Sequence, residues 1–173
     1  MSRHMNGWMK VRRVLRGFAL REDGTQLIEF TIAFPFLLLM FAGAVEMGRL
    51  FYTYTTLTKA TVVGARYLSS PGVAVGNTGV FDQTDIDNAK NLMICGVAAS
   101  CSGLNPIVAG LGTGNITISP LPTTGSVRYF TVTISYAYTP KVFDLAGMTG
   151  NSSVSLNYTL TPQTTMRYLR NAE

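Results

Sequence analysis

One carboxylate stands out among the residues that could take part in chemistry. Glu29 is the only charged residue in the apolar run of residues 27–45, and Gly24 lies five residues before it. A carboxylate is costly inside hydrocarbon, so a carboxylate in such a run usually has a function. The sequence therefore predicts a functional role for Glu29. The alternative is an interfacial carboxylate near the cytoplasmic surface, where it costs little.

Catalytic chemistry has little support elsewhere in the chain. The only histidine, His4, precedes Gly24, so no Ser–His or Cys–His pair can form after that glycine. Seven acidic residues follow Gly24, mostly in the apolar helix, one loop and the C-terminus, and no two of them form an evident pair. We therefore predict that the protein is not an enzyme and has no small-molecule substrate and no cofactor.

The positive charge of the chain is concentrated at its start. Residues 1–23 hold six basic and two acidic residues, whereas the rest of the chain has a net charge of only +1. The remainder has no basic stripe interleaved with aromatic residues, which argues against nucleic-acid binding. The positive-inside rule places residues 1–23 in the cytoplasm and the chain beyond about residue 47 across the membrane.

The two cysteines lie on the far side of this predicted membrane segment. If that compartment is an oxidising bacterial periplasm, Cys95 and Cys101 can close a short loop as a disulfide; the alternative is two buried free thiols. A zinc site is excluded because the chain beyond the basic leader has no histidine to complete a ligand set with the two cysteines. Asp82, Asp85, Asp87 and Asn88 crowd one loop but lack the order of a calcium-binding loop, so we predict no metal site.

Residues 25–69 are predicted to form one long helix. Residues 27–45 are close to the length that spans a bilayer, and Pro35 within them favours a kink. Glu46 and Arg49 are three residues apart on one face and can form an ion pair near the membrane interface. Further along, apolar and small residues recur at spacings of three and four and predict a packing stripe: Leu50, Tyr54, Leu57, Thr61, Gly64 and Leu68.

The remaining residues, 70–173, are predicted to form a head of mixed structure. A short helix is expected over about residues 86–95, capped by Thr84 or Asp85. Residues 115–119, 127–138 and 154–160 alternate apolar and polar side chains and predict a small antiparallel sheet with one buried face. The long helix can cover that face, which gives an α+β fold.

Four short motifs in one order carry a family resemblance. Residues 22–30 (EDGTQLIEF), 33–39 (AFPFLLL), 46–52 (EMGRLFY) and 64–67 (GARY) resemble the TadE-like family of minor pseudopilins of the tight adherence (Tad) pilus. The resemblance is close over residues 22–67 and only architectural beyond them. It implies a type IV pilin-like build, in which a long N-terminal helix is first membrane-embedded and then amphipathic.

The resemblance also implies how the chain is processed and where it acts. A prepilin peptidase is expected to cut after Gly24, so that Thr25 becomes the mature N-terminus, followed by Glu29 and Phe30 as its fifth and sixth residues. Glu29 is expected to pair with the N-terminal amine of a neighbouring subunit. The implied location is the bacterial inner membrane, single-pass with a periplasmic head, and the pilus or cell exterior after processing. The implied partners are a second minor pseudopilin, the major pilin and the Tad inner-membrane platform, with a role in adhesion and biofilm formation.

A different class of protein remains open from the residues alone. Ala42, Gly43 and Ala44 form an A-x-A site after a basic start and an apolar run, which is the pattern of a secretory signal peptide. The chain would then be a secreted or membrane-anchored adhesin or binding module. An uncleaved signal anchor is the third possibility.

Overall fold

The chain divides into two compact units, and the boundary between them in the sequence lies within one helix. The structure, a computed structural model, describes residues 22–70, 73, 81–121, 129–142, 147, 150 and 157–168. One unit is Met1–Val45 and the other is Glu46–Glu173. Most of the predicted leader, residues 1–24, lies outside the described residues. The division into leader, helix and head stays a prediction.

The first described element is the helix α1, which runs over Glu22–Leu68 and contains Pro35. The predicted long helix is therefore confirmed, and it begins three residues earlier than expected. A proline ring removes one backbone hydrogen bond from the helix interior, but the helix continues on both sides of it. The predicted kink at Pro35 stays a prediction. Within the described residues, α1 is the one helix that is long and apolar enough to cross a membrane.

The later part of α1 belongs to the second unit and supplies much of its core. Leu57, Thr61, Ala65 and Leu68 are fully buried, at the spacings of three and four that the sequence predicts. The stripe differs from the prediction at Tyr54, whose ring is exposed. Threonine is tolerated along this helix because its hydroxyl can donate to a carbonyl one turn earlier. Six described threonines that do so are Thr31, Thr53, Thr55, Thr56, Thr58 and Thr61.

A second helix, α2, covers Gln83–Cys95. Asp82 caps its start, since the carboxylate accepts from the Thr84 N–H at 3.3 Å. The prediction of Thr84 or Asp85 as the cap was wrong, because the helix begins three residues before the expected position. The chain leaves α2 through Gly96, whose positive φ of 78° suits the left-handed cap conformation that glycine adopts without strain.

Five described strands follow, and all of their pairings are antiparallel. They are β1 (Ile116–Leu121), β2 (Tyr129–Ile134), β3 (Tyr136–Tyr138), β4 (Tyr158–Leu160) and β5 (Gln163–Arg167). One sheet has the order β1-β2-β5 and the other is the pair β3-β4. The predicted strand over residues 154–160 is described only from residue 157 onwards. The strand β5 was not predicted, because the segment is mostly polar and offers no alternation of apolar and polar residues.

The predicted strand over residues 127–138 divides at Ser135 into β2 and β3. Both parts pair in the same register with the returning chain, Thr133 opposite Gln163 and Tyr136 opposite Leu160. Next to the break, Pro162 lies opposite Ile134, the last residue of β2. It has no N–H to give to the ladder, although its carbonyl accepts from Ile134 at 3.1 Å. The hydrogen-bond ladder is therefore interrupted without a shift in strand register. The alternation of buried side chains continues through both strands.

The core of the second unit lies between the later part of α1, α2 and the buried face of the strands. Phe130 is fully buried at its centre, and Phe81 meets its ring edge-on with centroids 5.1 Å apart. A hydrogen bond of 2.8 Å between the hydroxyls of Thr61 and Thr164 joins α1 to β5. The predicted α+β class, with a long N-terminal helix packed on a small antiparallel sheet, is confirmed.

We expect Gly64→Ala to destabilise this core by about 1–3 kcal/mol, the usual cost of adding a methyl group to a packed interior. A Cβ at Gly64 would overlap the side chain of Met93 on α2. The measurement is denaturant unfolding of the full chain in detergent, followed by near-UV circular dichroism. In a Met93→Ala background the cost should largely disappear.

The matched control for this prediction is Gly48→Ala on the same helix. A Cβ at Gly48 meets no atom within 4 Å, so the change should stabilise α1 by about 0.5–1 kcal/mol through helix propensity. Equal effects of the two substitutions would contradict the close approach of α1 and α2.

Candidate functional site

The residues predicted to act in processing lie in one accessible segment of α1. The side chains of Thr25, Glu29 and Phe30 are exposed, and a Cβ at Gly24 would meet no atom within 4 Å. A rise of about 1.5 Å per residue places Glu29 about 7.5 Å along the helix from Gly24. No contact within the described structure therefore blocks the approach of another protein to this segment.

Around Glu29 the helix has an apolar surface on all sides. Large apolar side chains from residue 27 to residue 41 are more than two fifths exposed: Leu27, Ile28, Phe30, Ile32, Phe34, Phe36, Leu37, Leu38, Leu39, Met40 and Phe41. A helix that is apolar all round is one that another apolar environment covers, either a protein core or lipid. Glu29 thus places one carboxylate within a surface that suits a membrane.

A second carboxylate on α1, Glu46, has a very different environment. Its side chain is only 3% exposed. Its oxygen Oε1 accepts hydrogen bonds from the Tyr138 hydroxyl and, at 3.3 Å, from the Lys141 N–H. Its other oxygen, Oε2, accepts from the Val142 N–H at 2.9 Å. Charge-assisted hydrogen bonds of this kind are about twice as strong as neutral ones, so Glu46 ties the end of β3 to α1.

This environment changes the pKa of the Tyr138 hydroxyl. Burial raises the pKa of Tyr138 above its ordinary value of 10.0, and the hydrogen bond to Glu46 and the negative charge of that carboxylate raise it further. The Arg49 guanidinium acts in the opposite direction through its charge and a hydrogen bond, so it lies beside the same hydroxyl. The ion pair between Glu46 and Arg49, expected from their spacing, stays a prediction.

The helical segment that carries both carboxylates matches a known family. The family model described as TadE-like protein matches residues 24–66, about a quarter of the chain. Residues 24–66 are TadE-like. The family resemblance found in the sequence is thereby confirmed. No curated protein and no solved structure matches the chain.

The TadE-like segment begins at Gly24 and contains Glu29, Pro35, Glu46 and Arg49. It ends within α1, before α2 and the strands. The exposed apolar part of this segment, together with the family match, indicates a membrane-anchored protein related to pilus systems. The partners of Glu46 on β3 and the following loop lie outside the matched residues.

The predicted cysteine pair lies far from both carboxylates in the chain. Cys95 ends α2 and forms a disulfide with Cys101. The loop beyond it is fastened to α2, since the Ile107 N–H donates to the Ile94 carbonyl at 2.7 Å. The bridge therefore holds a turn of the head.

The acidic residues predicted to crowd one loop lie instead at the start of α2, with Asp82 as its cap and Asp85 and Asp87 inside the helix, and they have local structural partners. Asp82 caps α2, Asp87 accepts from the Gln83 amide at 2.9 Å, and Asp85 lies 3.5 Å from the Tyr67 hydroxyl. Within the described ranges, no three His, Cys, Asp or Glu side chains are grouped so that they could hold a metal ion. These contacts account for the acidic residues as caps and surface partners.

Sequence reasoning missed the role of Tyr138 at this site. Tyr138 is 92 residues from Glu46 in the chain, at the end of the strand predicted over residues 127–138. One signal was available: a carboxylate directly after an apolar run needs hydrogen-bond donors, and a buried tyrosine needs an acceptor. Four tyrosines in the strands could have met that need equally well: Tyr129, Tyr136, Tyr138 and Tyr158.

We expect the folded head to lose stability at alkaline pH as the Tyr138 hydroxyl loses its proton. Because its folded-state pKa is raised, the folded protein keeps the proton at pH values where the unfolded chain has lost it. The contribution is therefore complete below about pH 10 and is lost as pH rises through the folded-state pKa. Tyr138→Phe should remove this loss when the free energy of unfolding is measured across alkaline pH.

The control for this measurement is Tyr158→Phe. Tyr158 lies opposite Tyr138 in the β3-β4 pair, but its ring is exposed. That variant should keep the alkaline loss of the unmodified protein. If both variants keep it, a group other than Tyr138 causes it.

Proposed function

We propose that the protein is a minor pseudopilin that initiates or supports assembly of a Tad pilus and so serves adhesion and biofilm formation. The observation that carries the proposal is the TadE-like segment, which begins at Gly24 and has Glu29 exposed on an apolar helix. An exposed carboxylate in such a surface is unfavourable in a lone membrane helix. A partner with a positive charge would remove that cost.

The proposal includes a processing step after Gly24. A prepilin peptidase would cleave the Gly24–Thr25 peptide bond and release the basic leader. Glycine suits this position because it has no side chain, which lets the backbone approach a catalytic site closely. Thr25 would then carry the new N-terminal ammonium group.

Cleavage would supply the positive partner for Glu29. The Thr25 ammonium of one subunit and the Glu29 carboxylate of the next each lose hydration in the membrane, at a cost of several kcal/mol, and each offsets the cost of the other. Since an apolar helix bundle has few directional contacts, this pair would set the register between neighbours. The neighbours we propose are a second minor pseudopilin and the major pilin, on the Tad platform of the inner membrane.

The orientation follows from the charge of the leader. Six basic residues precede the apolar run, so the N-terminus would be cytoplasmic and the head periplasmic. A periplasmic head agrees with the Cys95–Cys101 bridge, because disulfides persist in oxidising compartments.

The test is the intact mass of the protein from cells with and without prepilin peptidase. We expect a mature chain that starts at Thr25 when the peptidase is present, and the unprocessed chain when it is deleted. Gly24→Leu should block processing. Its matched control is Gly43→Leu, because a Cβ at either glycine meets no atom within 4 Å and neither change should disturb folding.

Two other outcomes would each exclude the proposal. A mature chain that starts at Val45 would show conventional signal-peptide cleavage after Ala44 and support a secreted adhesin. That cut would leave Glu46, which is bonded to Tyr138, as the second residue of the product. A chain that retains its leader in cells with active peptidase would remove the main support for a pseudopilin.

A further inference from the structure

The loop that follows β3 is held at one level of α1 by backbone hydrogen bonds. Lys141 and Val142 both donate their N–H groups to Glu46, at 3.3 and 2.9 Å. Because these bonds use the backbone, the two side chains are left to face outwards: Lys141 is exposed and Val142 is 50% exposed. The structure thus presents one cation and one apolar side chain next to Glu46.

The position of Glu46 in the chain places this loop close to the end of the apolar run. Residues 27–45 extend for about 28 Å as a helix, close to the roughly 30 Å of hydrocarbon in a bilayer. Glu46 follows directly, and Arg49 is about 4.5 Å further along the axis. The headgroup layer on each side is roughly 5–8 Å thick. Groups bonded to Glu46 therefore lie at the depth of lipid headgroups when residues 27–45 span the membrane.

We propose that Lys141 and Val142 form a second membrane contact, in which Lys141 binds the phosphates of anionic lipids and Val142 enters the outer edge of the hydrocarbon. Arg49, an exposed residue whose guanidinium lies beside the Tyr138 hydroxyl, adds a second positive charge at the same level. Phe51 and Tyr52, exposed on the next turn of α1, are amphipathic or apolar rings of the kind found at headgroup depth. The inference rests on the membrane anchoring of α1 within the proposed function and does not depend on pilus assembly.

The hydrogen bonds to Glu46 make this contact inexpensive to form. The loop backbone is already ordered at Lys141 and Val142, so lipid contact orders little more than the two side chains. Attachment through both α1 and the loop would restrain rotation of the head about the helix axis while the subunit is in the membrane.

The experiment uses the full chain, with its disulfide intact, in vesicles of phosphatidylcholine with or without phosphatidylglycerol. An environment-sensitive fluorophore is attached at Val142→Cys, and quenching by brominated lipid is compared with quenching by aqueous iodide. The matched control is Leu104→Cys, since Leu104 is 49% exposed and lies beside the cysteine bridge. Cys95 of that bridge is the last residue of α2, and α2 packs against Gly64 of α1. Gly64 is about 27 Å along α1 from Glu46.

We expect lipid quenching at position 142 and iodide quenching at position 104. Removal of phosphatidylglycerol, or the substitution Lys141→Gln, should lower the lipid-exposed fraction at position 142 by about fivefold, the usual effect of one basic residue at an anionic surface. Iodide quenching at both positions would overturn the proposal.

A third label at Met40→Cys separates this failure from a failure of the anchor. Met40 is 74% exposed within the apolar run. Lipid quenching at position 40 with iodide quenching at position 142 leaves the anchor intact and rejects the loop contact. Iodide quenching at position 40 rejects the anchor and the loop contact together.

Discussion

Glu46→Ala is expected to destabilise the head by about 3–5 kcal/mol, near the upper end for a single substitution. The carboxylate accepts from the Tyr138 hydroxyl and from the backbone N–H groups of Lys141 and Val142. Alanine would leave these donors without their acceptor, and an unsatisfied buried donor costs about 1–3 kcal/mol. Among the described residues, no buried side-chain nitrogen or oxygen lacks a partner in the unmodified protein, so the defect would be new.

The measurement is denaturant unfolding of the full chain in detergent, with exchange of the β3 amides as a local readout. Glu46→Gln keeps one acceptor oxygen but places an NH₂ donor against donors, so its cost should be intermediate, about 2 kcal/mol. Asp87→Ala is the control, because this exposed carboxylate has a partner within its own helix and should change stability by less than about 0.5 kcal/mol. Unfolding of Glu46→Ala at the same denaturant concentration as the unmodified protein would show that the carboxylate does not hold β3.

Glu29→Ala has the largest functional effect that the proposed function predicts. The variant should insert into the membrane and fold its head normally, because Glu29 is exposed and lies in the other compact unit. Assembly should fail, since the Thr25 ammonium of a neighbour would lose its partner in a medium of low polarity. A loss of several kcal/mol at each subunit contact corresponds to about a hundredfold or more in the association constant.

Pilus number per cell and membrane fractionation together measure this effect. Thr31→Ala is the control on the same helix, because among the described residues the Thr31 hydroxyl bonds to the Leu27 carbonyl one turn earlier and to no other group. It should leave piliation unchanged. Normal piliation of Glu29→Ala would exclude the register role, and absence of the variant from the membrane would show a defect in insertion instead.

The two carboxylates of α1 differ in how far the sequence alone could explain them. Glu29 is recognisable because its whole signal is local: a glycine, a carboxylate five residues later and an apolar run lie within one continuous helix. Glu46 has an equally local position, but the groups of Tyr138, Lys141 and Val142 that donate to it lie 92 or more residues away. Spacing within the helix predicts Arg49 as a partner, and that ion pair stays a prediction; it cannot point to Tyr138, because a helix pattern reports only neighbours three and four residues apart.

Prediction of the strands from the sequence is limited in the same way, to patterns that are local in the chain. Where apolar and polar residues alternate, as in β1 and in the pair β2 and β3, the sequence predicts a strand and its buried face. β5 has no such alternation, and it forms because β2 offers a paired edge and because Thr164 meets the Thr61 hydroxyl across the layers. Backbone hydrogen bonds of a partner strand do not depend on side-chain type, so a polar strand leaves little trace in the sequence.

The sequence by itself determined the long apolar helix, the TadE-like segment and the α+β class. Each depends on periodicity or on motifs within a short stretch of chain, and local physics decides such features. Only the tertiary structure decided that Glu46 is buried against Tyr138, that the loop at residues 141–142 is fastened to α1, and that the strands divide into two sheets. These depend on which distant segments meet and in what register, and that is settled by packing of the whole head around one core.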